Sequence, residues 1–391
     1  MSQPFAVGDI PSSLLASCVL ALATIAVPGH AELRAQSVTP MVRGLNIDGV
    51  EHDLDLVLGL TVSPKGVIVA PVVREHRLQF FDATGKPLSS LGRTGEGPGE
   101  FRILGSGISG WIADTLWVYD VGLRRVTLVS PNRKVLRLFV VPGSVTSAKN
   151  PKLLAPATLS AMTSAQSLVF GTSRETSVPE WVGAPNGTTG SFMRTDSAGR
   201  LVKFLGASLP ITVPCARRTG PAQGQLPLCP TDLAMVARDG RRIVFATPVG
   251  GNQYRLTSID AVGGDTVFSR LVAVTAVAIP RNIKDSLQAD LAADIRAEPQ
   301  LGPHTAGLDF PKVFPPFTKL RVGIDGSIWV NDGQELLGRQ RWQIFDTNGA
   351  PLRTVELPRR TKVHEVSARS AWGTERNTDG FENIVRYDIQ P

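Results

Sequence analysis

Six basic side chains are the residues of this sequence best suited to bind a ligand. They are Arg74, His76, Arg93, Arg124, Arg339 and Arg341. Guanidinium groups offer paired N–H donors that match the oxygens of carboxylate and sulfate groups. We therefore predict that these residues contact an anionic glycan, an acidic peptide or a protein. The alternative interpretation is that they are solvated loop charges.

Metal chemistry has less support in the sequence. Four histidines follow residue 31, namely His52, His76, His304 and His364, and no H-x-x-x-H spacing occurs. Asp120 and Asp332 are oxygen ligands that Ca²⁺ could use. The sequence is compatible with Ca²⁺ or Zn²⁺ and indicates neither, so the cofactor is left unknown.

Nucleophilic catalysis is not indicated either. The chain has no G-x-S-x-G motif and no Ser, His and Asp order that predicts a triad. The glycine-rich residues 92–99 lack the Lys-Ser/Thr pair and the following helix of a phosphate-binding loop. We predict no catalytic residue and favour a function other than catalysis.

The N-terminal segment has the pattern of an export signal. Residues 12–27 are apolar and too short to span a bilayer comfortably, and small residues precede Glu32. We predict a signal peptide over residues 1–31, with cleavage after Ala31 or alternatively after Ala35. The first 13 residues contain Asp9 and no Lys or Arg, which departs from the usual signal, and a buried N-terminal helix is the alternative.

This prediction places the mature chain in the periplasm or outside the cell, without a transmembrane span. Cys18 follows Leu15-Ala16-Ser17, as in a lipoprotein signal. Lipid anchoring is disfavoured because Cys18 lies inside the apolar run. The two remaining cysteines, Cys215 and Cys229, flank a segment rich in polar residues, Gly and Pro. In an exported chain such a pair predicts a disulfide, with two free thiols as the alternative.

Composition narrows the class of protein. The chain has 391 residues, a formal net charge of +7, 38 Gly and 29 Pro, and its basic residues are scattered. No nucleic-acid-binding motif occurs among them, so we predict no nucleic-acid partner. Short β-rich segments between Gly- and Pro-rich turns favour an all-β fold. We expect the protein to be a monomer.

A turn of the form D-x-x-G, or a relative of it, recurs between pairs of β-rich segments. Asp can hydrogen-bond the backbone of a turn, and Gly tolerates positive φ, so each copy predicts a hairpin. The five copies lie at residues 82–85, 130–133, 196–199, 260–263 and 346–349. A second pair of strands precedes each hairpin, as at Ser63-Pro64-Lys65-Gly66. Units of four strands at this spacing predict a β-propeller.

The repeat count predicts six four-stranded antiparallel blades in one domain, residues 38–391. The last unit has only three clear strands, and residues 39–47 have strand character. We therefore predict that the N-terminal strand completes the last blade and closes the ring. The expected blades cover approximately residues 54–92, 103–142, 157–206, 232–279, 317–358 and 363–390.

These repeats resemble a known family. Residues 91–101, LGRTGEGPGEF, are followed by Leu116-Trp117-Val118-Tyr119-Asp120 and by residues 124–128, RRVTL, and residues 342–346, WQIFD, echo the pattern. The segments are similar to NHL-type repeats and, more closely, to bacterial six-bladed β-propeller proteins of unknown function. The resemblance implies six blades and export, and it implies no single activity.

The loop lengths predict the working face of the propeller. If the strands of a blade are lettered a to d from the axis outward, the long segments are d–a or b–c connections, which share one face. We call this the long-loop face and define it by residues 143–156, 172–190, 207–231 and 280–316. Residues 282–297 predict one short helix across it, with Leu287, Leu291 and Ile295 on its apolar stripe.

The sequence thus favours a binding module for a ligand or a protein that acts through the long-loop face. A metal-dependent hydrolase or lyase of the lactonase type, with a metal on the axis, is the first alternative. A structural module of a cell-envelope complex is the second.

Overall fold

The computed structural model describes residues 38–172, 178–185, 188, 190–208, 213–219, 222–250, 252–338 and 340–390. The predicted signal peptide, Cys18 and Arg339 lie outside these residues. The chain is a six-bladed β-propeller of antiparallel blades, as predicted.

The strands follow the chain in blade order. The N-terminal strands are β1 (Val38–Thr39) and β2 (Met41–Ile47). Blade 1 contains β3 (Thr61–Val62), β4 (Ile68–Val72) and β5 (Arg77–Phe81). Blade 2 contains β6 (Leu104–Ile112), β7 (Thr115–Asp120), β8 (Arg125–Val129) and β9 (Val135–Val140). A small hairpin, β10 (Ser144–Thr146) and β11 (Leu154–Pro156), links it to blade 3.

Blade 3 contains β12 (Thr158–Ser164), β13 (Ser167–Gly171), β14 (Gly190–Thr195) and β15 (Leu201–Ser208). A second hairpin, β16 (Ala216–Thr219) and β17 (Ala222–Gln225), precedes blade 4. Blade 4 contains β18 (Leu233–Val236), β19 (Arg242–Gly250), β20 (Gln253–Asp260) and β21 (Thr266–Ala273). Blade 5 contains β22 (Leu320–Val322), β23 (Ile328–Asn331), β24 (Gln340–Phe345) and β25 (Pro351–Leu357), and blade 6 contains β26 (Lys362–Val366), β27 (Ser370–Arg376) and β28 (Glu382–Ile389).

The ring closes as the sequence predicts. Strand β2 pairs antiparallel with β28, from Met41 opposite Ile389 to Ile47 opposite Ile384, and so supplies the outer strand of blade 6. Strand β1 was not expected in its position: it pairs parallel with β25 on the outer edge of blade 5. The N-terminal segment therefore ties two neighbouring blades together and covers strand edges that would otherwise be unpaired.

The outer segment of blade 1 is less regular than the others. Leu91 and Leu78 pair through reciprocal backbone hydrogen bonds, and Leu88 N donates to Phe80 O over 2.8 Å. This segment completes the blade by isolated bridges in place of a continuous strand.

The D-x-x-G turns form by the predicted chemistry. In the first, Asp82 Oδ1 accepts the backbone N–H groups of Thr84 and Lys86 at 2.9 and 3.0 Å. The hydrogen bond from the Thr84 hydroxyl is the main cause that lowers the pKa of Asp82. Asp346 repeats the pattern with Asn348 and Ala350, both at 2.8 Å.

The hydrophobic core lies between the blades. Clusters of buried side chains fill the junctions of neighbouring sheets. Between blades 5 and 6, for example, Trp329 and Trp342 are fully buried, with ring centroids 6.2 Å apart. Each blade therefore depends on its neighbours for burial of its apolar faces, so a complete ring stabilises all six.

The longest connection carries the predicted helix. Helix α1 (Arg281–Ala297) is followed by the short α2 (Leu301–Thr305). Ile283, Leu287, Leu291 and Ile295 are half-buried along one side of α1, as the apolar stripe predicts. We call residues 280–311 the insertion. Ile279 N donates to Lys312 O over 3.0 Å, so the two ends of the insertion meet at its base. No described helix is long and apolar enough to cross a lipid bilayer.

Candidate ligand pocket on the propeller axis

The predicted ligand residues of blades 1 and 2 lie in loops of the long-loop face. Arg74 and His76 lie between β4 and β5, Arg93 follows the outer segment of blade 1, and Arg124 precedes β8. Arg74 pairs with Asp55 over 3.3 Å, and Arg93 pairs with Glu100 over 2.7 Å. The structure thus gives two of these guanidinium groups carboxylate partners within the chain.

Arg124, Arg341 and His76, the other predicted ligand residues that the structure describes, each have different contacts. The Arg124 guanidinium packs against Gly143, where a Cβ would overlap it. Arg341, in blade 5, pairs with Glu356 over 2.9 Å and lies across the ring from blades 1 and 2. His76 has a φ of 53° and a buried Nδ1 without a hydrogen-bond partner among the described residues. Their role in ligand binding stays a prediction.

A pocket of about 440 Å³ lies on the propeller axis. Inner strands or adjoining residues of blades 1, 3, 4, 5 and 6 line it. Thr158, Leu159 and Ser160 are the first residues of inner strand β12, and Leu58 and Gly59 precede β3. Since inner strands begin on the long-loop face, the pocket reaches toward that face.

The opposite end of the pocket meets the turn after β18. Trp111 N, at the end of inner strand β6, donates to Arg238 O over 3.1 Å. The close approach needs Gly110, because a Cβ there would overlap the Arg238 carbonyl oxygen. Gly240, in the same turn, lies against the Met162 backbone of blade 3. This turn therefore crosses the axis and narrows the channel at the face opposite the long loops.

Arg321 is a half-buried cation in the wall of the pocket. It lies in β22 between the buried Leu320 and Val322. Its Nε donates to Val363 O over 2.9 Å, and its Nη1 donates to Leu320 O over 2.8 Å. Burial lowers the pKa of Arg321 to about 10, so the group is still positive at neutral pH. No carboxylate of a described residue lies within ion-pair distance of it.

Arg238 and Glu365 form a second charged pair at the pocket. Arg238 Nε lies 3.6 Å from Glu365 Oε2, and both side chains are largely buried. Burial raises the pKa of Glu365 to about 7, against the opposing effect of Arg238. The charges of the pair therefore largely cancel whenever Glu365 is ionised.

His364 completes the polar lining. Its Nε2 lies 3.0 Å from Thr374 Oγ1 in the neighbouring strand. Burial, with the nearby charges of Arg321, Arg238 and Lys362, lowers the pKa of His364 to about 3. The ring is therefore neutral at physiological pH, and it can accept or donate one further hydrogen bond.

The carboxylates that the sequence offered for Ca²⁺ have other surroundings. Asp120 accepts backbone N–H groups of Arg102, Ile103 and Leu123, and so fixes the start of blade 2. Asp332 lines a separate cavity of about 260 Å³ between blades 4 and 5, and burial raises its pKa to about 6. In the described part of the chain, no three His, Cys, Asp or Glu side chains are grouped to hold one metal ion.

The insertion and the second hairpin form one structural unit on the long-loop face. Cys215 and Cys229 form the predicted disulfide. Both cysteines and Leu226 are buried, and Leu291, Leu308 and Phe310 of the insertion pack against them. Gly224 in β17 lies against the backbone carbonyl of His304 in α2. We call this unit the cap.

The axial residues were missed by the sequence interpretation. Arg321, Arg238 and His364 come from three blades, and no local motif unites them. The available signal was their position: Arg321 and His364 interrupt short runs of apolar residues in inner strands, at L-R-V and V-H-E-V. A charged residue flanked by buried ones in a strand next to the axis faces the channel.

Comparison with known proteins finds only distant similarities. No family model and no curated protein matches the sequence. A predicted exported protein of Bacteroides fragilis is 12% identical, with coverage of 93% of this chain and 98% of that chain and a TM-score of 0.49.

Two further structures have lower scores. A DUF4221 family member of Bacteroides vulgatus is 9% identical, with coverage of 91% and 99% and a TM-score of 0.46. The virginiamycin B lyase of Staphylococcus aureus is 10% identical, with coverage of 88% and 99% and a TM-score of 0.39. The six blades of the structure agree with the predicted resemblance to bacterial six-bladed propellers. The similarities to solved structures assign no ligand or reaction to this chain.

Proposed function

We propose that the protein is an exported binding module whose ligand enters the axial pocket from the long-loop face. The observation that carries this proposal is the shape of the pocket. It reaches the first residues of the inner strands at one end and meets the Arg238 turn at the other. A concave site with apolar walls and a few polar groups is the usual form of a small-molecule site.

The donor set of the pocket favours binding of an anion over axial metal chemistry. Two guanidinium groups, Arg238 and Arg321, lie beside the neutral His364, and Glu365 is the acidic partner of Arg238. Two positive charges that line the same pocket oppose the binding of a divalent cation there. Metal analysis of the purified protein tests the alternative: stoichiometric Ca²⁺ or Zn²⁺ would favour the hydrolase or lyase.

A fragment screen by ligand-observed NMR tests the pocket itself. The variant Ala234→Trp fills the pocket from β18, and Ala292→Trp on the exposed side of α1 is the matched control. We expect fragments that bind the wild type and the control to lose binding to Ala234→Trp. Fragments that bind all three proteins equally would contradict the axial site.

A second test concerns protein or glycan partners on the long-loop face. Residues 280–311 can be replaced by a short turn, because Ile279 and Lys312 are hydrogen-bonded at the base of the insertion. Partners captured by the wild type should be lost from this variant. Charge reversal at Arg74, Arg93 or Arg124 should weaken the same interactions, and unchanged capture by all variants would contradict the proposed face. Stable co-purification with one envelope protein would favour the structural-module alternative.

Export is tested by the mature N-terminus. If the signal peptide ends at Ala31, mass spectrometry of the protein from its native cells gives a chain that begins with Glu32. A chain that begins with Met1 would contradict export by this signal.

A further inference from the structure

We infer that the axial pocket selects an organic monocarboxylate with an apolar body, and that the carboxylate pairs with Arg321. The inference rests on the proposed function, because it takes the axial pocket as the ligand site. It adds the chemical class of the ligand and the residue that recognises it.

The guanidinium of Arg321 is held in a fixed orientation by the backbone. Two backbone carbonyls, of Val363 and Leu320, accept from its Nε and Nη1 and so fix the plane of the group. A guanidinium has five N–H donors, so the hydrogen bonds to these carbonyls leave Nη donors for a further acceptor. A planar group held in this way can give two parallel hydrogen bonds to a carboxylate.

Arg321 has no ion-pair partner among the carboxylates of the described residues. The other described charges at the pocket are compensated: Arg238 faces Glu365, and Lys362 pairs with Glu382 over 2.9 Å. The charge of Glu365 also acts on Arg321, but Glu365 is the ion-pair partner of Arg238. A half-buried cation without an ion-pair partner of its own is costly, and a bound anion relieves that cost. Arg321 therefore provides both the place and the driving force for one negative charge.

The charge balance favours a monoanion. Above pH 7, where Glu365 is ionised, Arg321 contributes one positive charge, the Arg238–Glu365 pair contributes about none, and His364 is neutral. A dianion such as a phosphate monoester would bring a second, uncompensated negative charge into a largely buried site. Neutral His364 can donate one hydrogen bond to the same ligand or accept one from it.

The remaining walls define the rest of the ligand. Apolar side chains from blades 1, 3 and 4 line the pocket, namely Leu58, Leu159, Phe192, Met235 and Val236. Burial of apolar ligand surface against them contributes favourably, by about 25 cal/mol per Å². An aliphatic or aryl body attached to the carboxylate matches this lining.

Matched acid and amide probes test the inference on the wild-type protein. The pairs are phenylacetate with phenylacetamide and hexanoate with hexanamide. Phenylphosphonate tests the dianion, and all are measured by titration calorimetry at pH 8, where its second proton is largely lost and Glu365 is ionised. We expect each amide to bind at least roughly tenfold more weakly than its acid, since it lacks the charge that pairs with Arg321. Equal binding of acid and amide, or tighter binding of phenylphosphonate, would overturn the assignment.

Variants locate the effect. Arg321→Gln should lose at least roughly tenfold in phenylacetate affinity, and Arg321→Lys should retain part of it. Arg200→Gln, whose ion pair with Asp196 lies in an outer turn away from the pocket, should match the wild type. Should Arg321→Gln fail to fold by circular dichroism, the probe pairs and Arg321→Lys still decide the question. Full acid affinity in a folded Arg321→Gln would overturn the role of Arg321.

Failure of this inference can be told apart from failure of the proposed function. If no acid binds but neutral fragments bind and are lost in Ala234→Trp, the pocket is the site and the ligand class is wrong. If acids bind the wild type and Ala234→Trp equally, the axial site itself is wrong, and the inference fails with it.

Discussion

Arg43 Nη2 lies 2.6 Å from Glu375 Oε2, and this ion pair joins the N-terminal strand to the last blade. Arg43 belongs to β2 and Glu375 to β27, with β28 between them. Tyr387 in β28 donates to Glu375 Oε1 over 2.8 Å, and Thr361 donates to the same oxygen over 2.6 Å. The ring is thus closed by a largely buried polar network in addition to the β2–β28 ladder.

Glu375→Gln should lower the free energy of unfolding by roughly 1.5–3 kcal/mol, the range for hydrogen bonds to charged groups. Burial alone would raise the pKa of Glu375, but the hydrogen bonds and the charges of Arg43 and Arg360 leave it below the ordinary 4.5. Its contribution is therefore complete above pH 4.5 and is lost as the pH falls through the lower folded-state pKa. Denaturant unfolding at pH 7 and at pH 3 measures both effects.

The control for this variant is Glu356→Gln, which removes the partner of Arg341 in a more exposed pair. Such pairs contribute about 0–1 kcal/mol. Equal losses in the two variants would show that the closing network adds nothing beyond an ordinary surface pair.

Gly110→Ala should destabilise the protein by about 1–3 kcal/mol, the usual cost of overpacking. The added Cβ would overlap the Arg238 carbonyl oxygen and break the hydrogen bond from Trp111 N. Gly302→Ala, in α2, is the control, because its Cβ would meet the Ile295 side chain of α1 at an ordinary van der Waals distance of 3.5 Å. Thermal unfolding compares the two, and a Gly110→Ala protein as stable as the control would disprove the contact across the axis.

The architecture could be predicted because each blade repeats the same local chemistry. Asp82 and Asp346 accept N–H groups two and four residues ahead, so the turn is encoded within five residues. The closing strand could also be predicted, since the last unit lacked one strand and residues 39–47 could supply it. The disulfide followed from a single pair of cysteines in a chain with an export signal, and the helix followed from the period of its apolar residues.

The pocket could not be predicted by such local rules. Arg321, Arg238 and His364 are brought together only by the ring, and their separation in sequence hides the grouping. The surface arginines were more conspicuous, yet Arg74 and Arg341 have carboxylate partners that come from other segments. Arg93 pairs with Glu100, seven residues further along the same connection. Strand β1 and the two small hairpins were missed because each is short and lacks a turn signal of the repeating type.

His364→Gln should make the protein less sensitive to acid. The wild type keeps His364 neutral in the fold, with a pKa of about 3 against the ordinary 6.5. The groups that oppose its charge are Arg321, Arg238 and Lys362, and Glu365 is the acidic group of the same cluster. The contribution of His364 is therefore complete above pH 6.5 and is lost as the pH falls toward 3.

Between these limits, the wild type should lose up to about 1.4 kcal/mol per pH unit more than His364→Gln. Urea unfolding at pH 7, 6, 5 and 4 measures the difference in slope, so acid effects common to both proteins cancel. Parallel profiles for wild type and variant would show that His364 is not held neutral by the pocket.

Removal of the disulfide should loosen the cap and leave the blades intact. Cys215→Ser with Cys229→Ser opens a loop of 14 residues, which the chain-entropy model values at about 3 kcal/mol. Because Leu291, Leu308 and Phe310 pack on the bridged cysteines, the amides of α1 and of β17 should both lose protection from hydrogen exchange. Asp309 N also donates to Pro214 O over 3.1 Å, which couples the two segments directly. Hydrogen exchange should therefore accelerate in both segments and stay unchanged in β19. Equal acceleration in β19 would mean that the bridge stabilises the whole propeller. Unchanged exchange in α1 would mean that the insertion does not depend on the bridge.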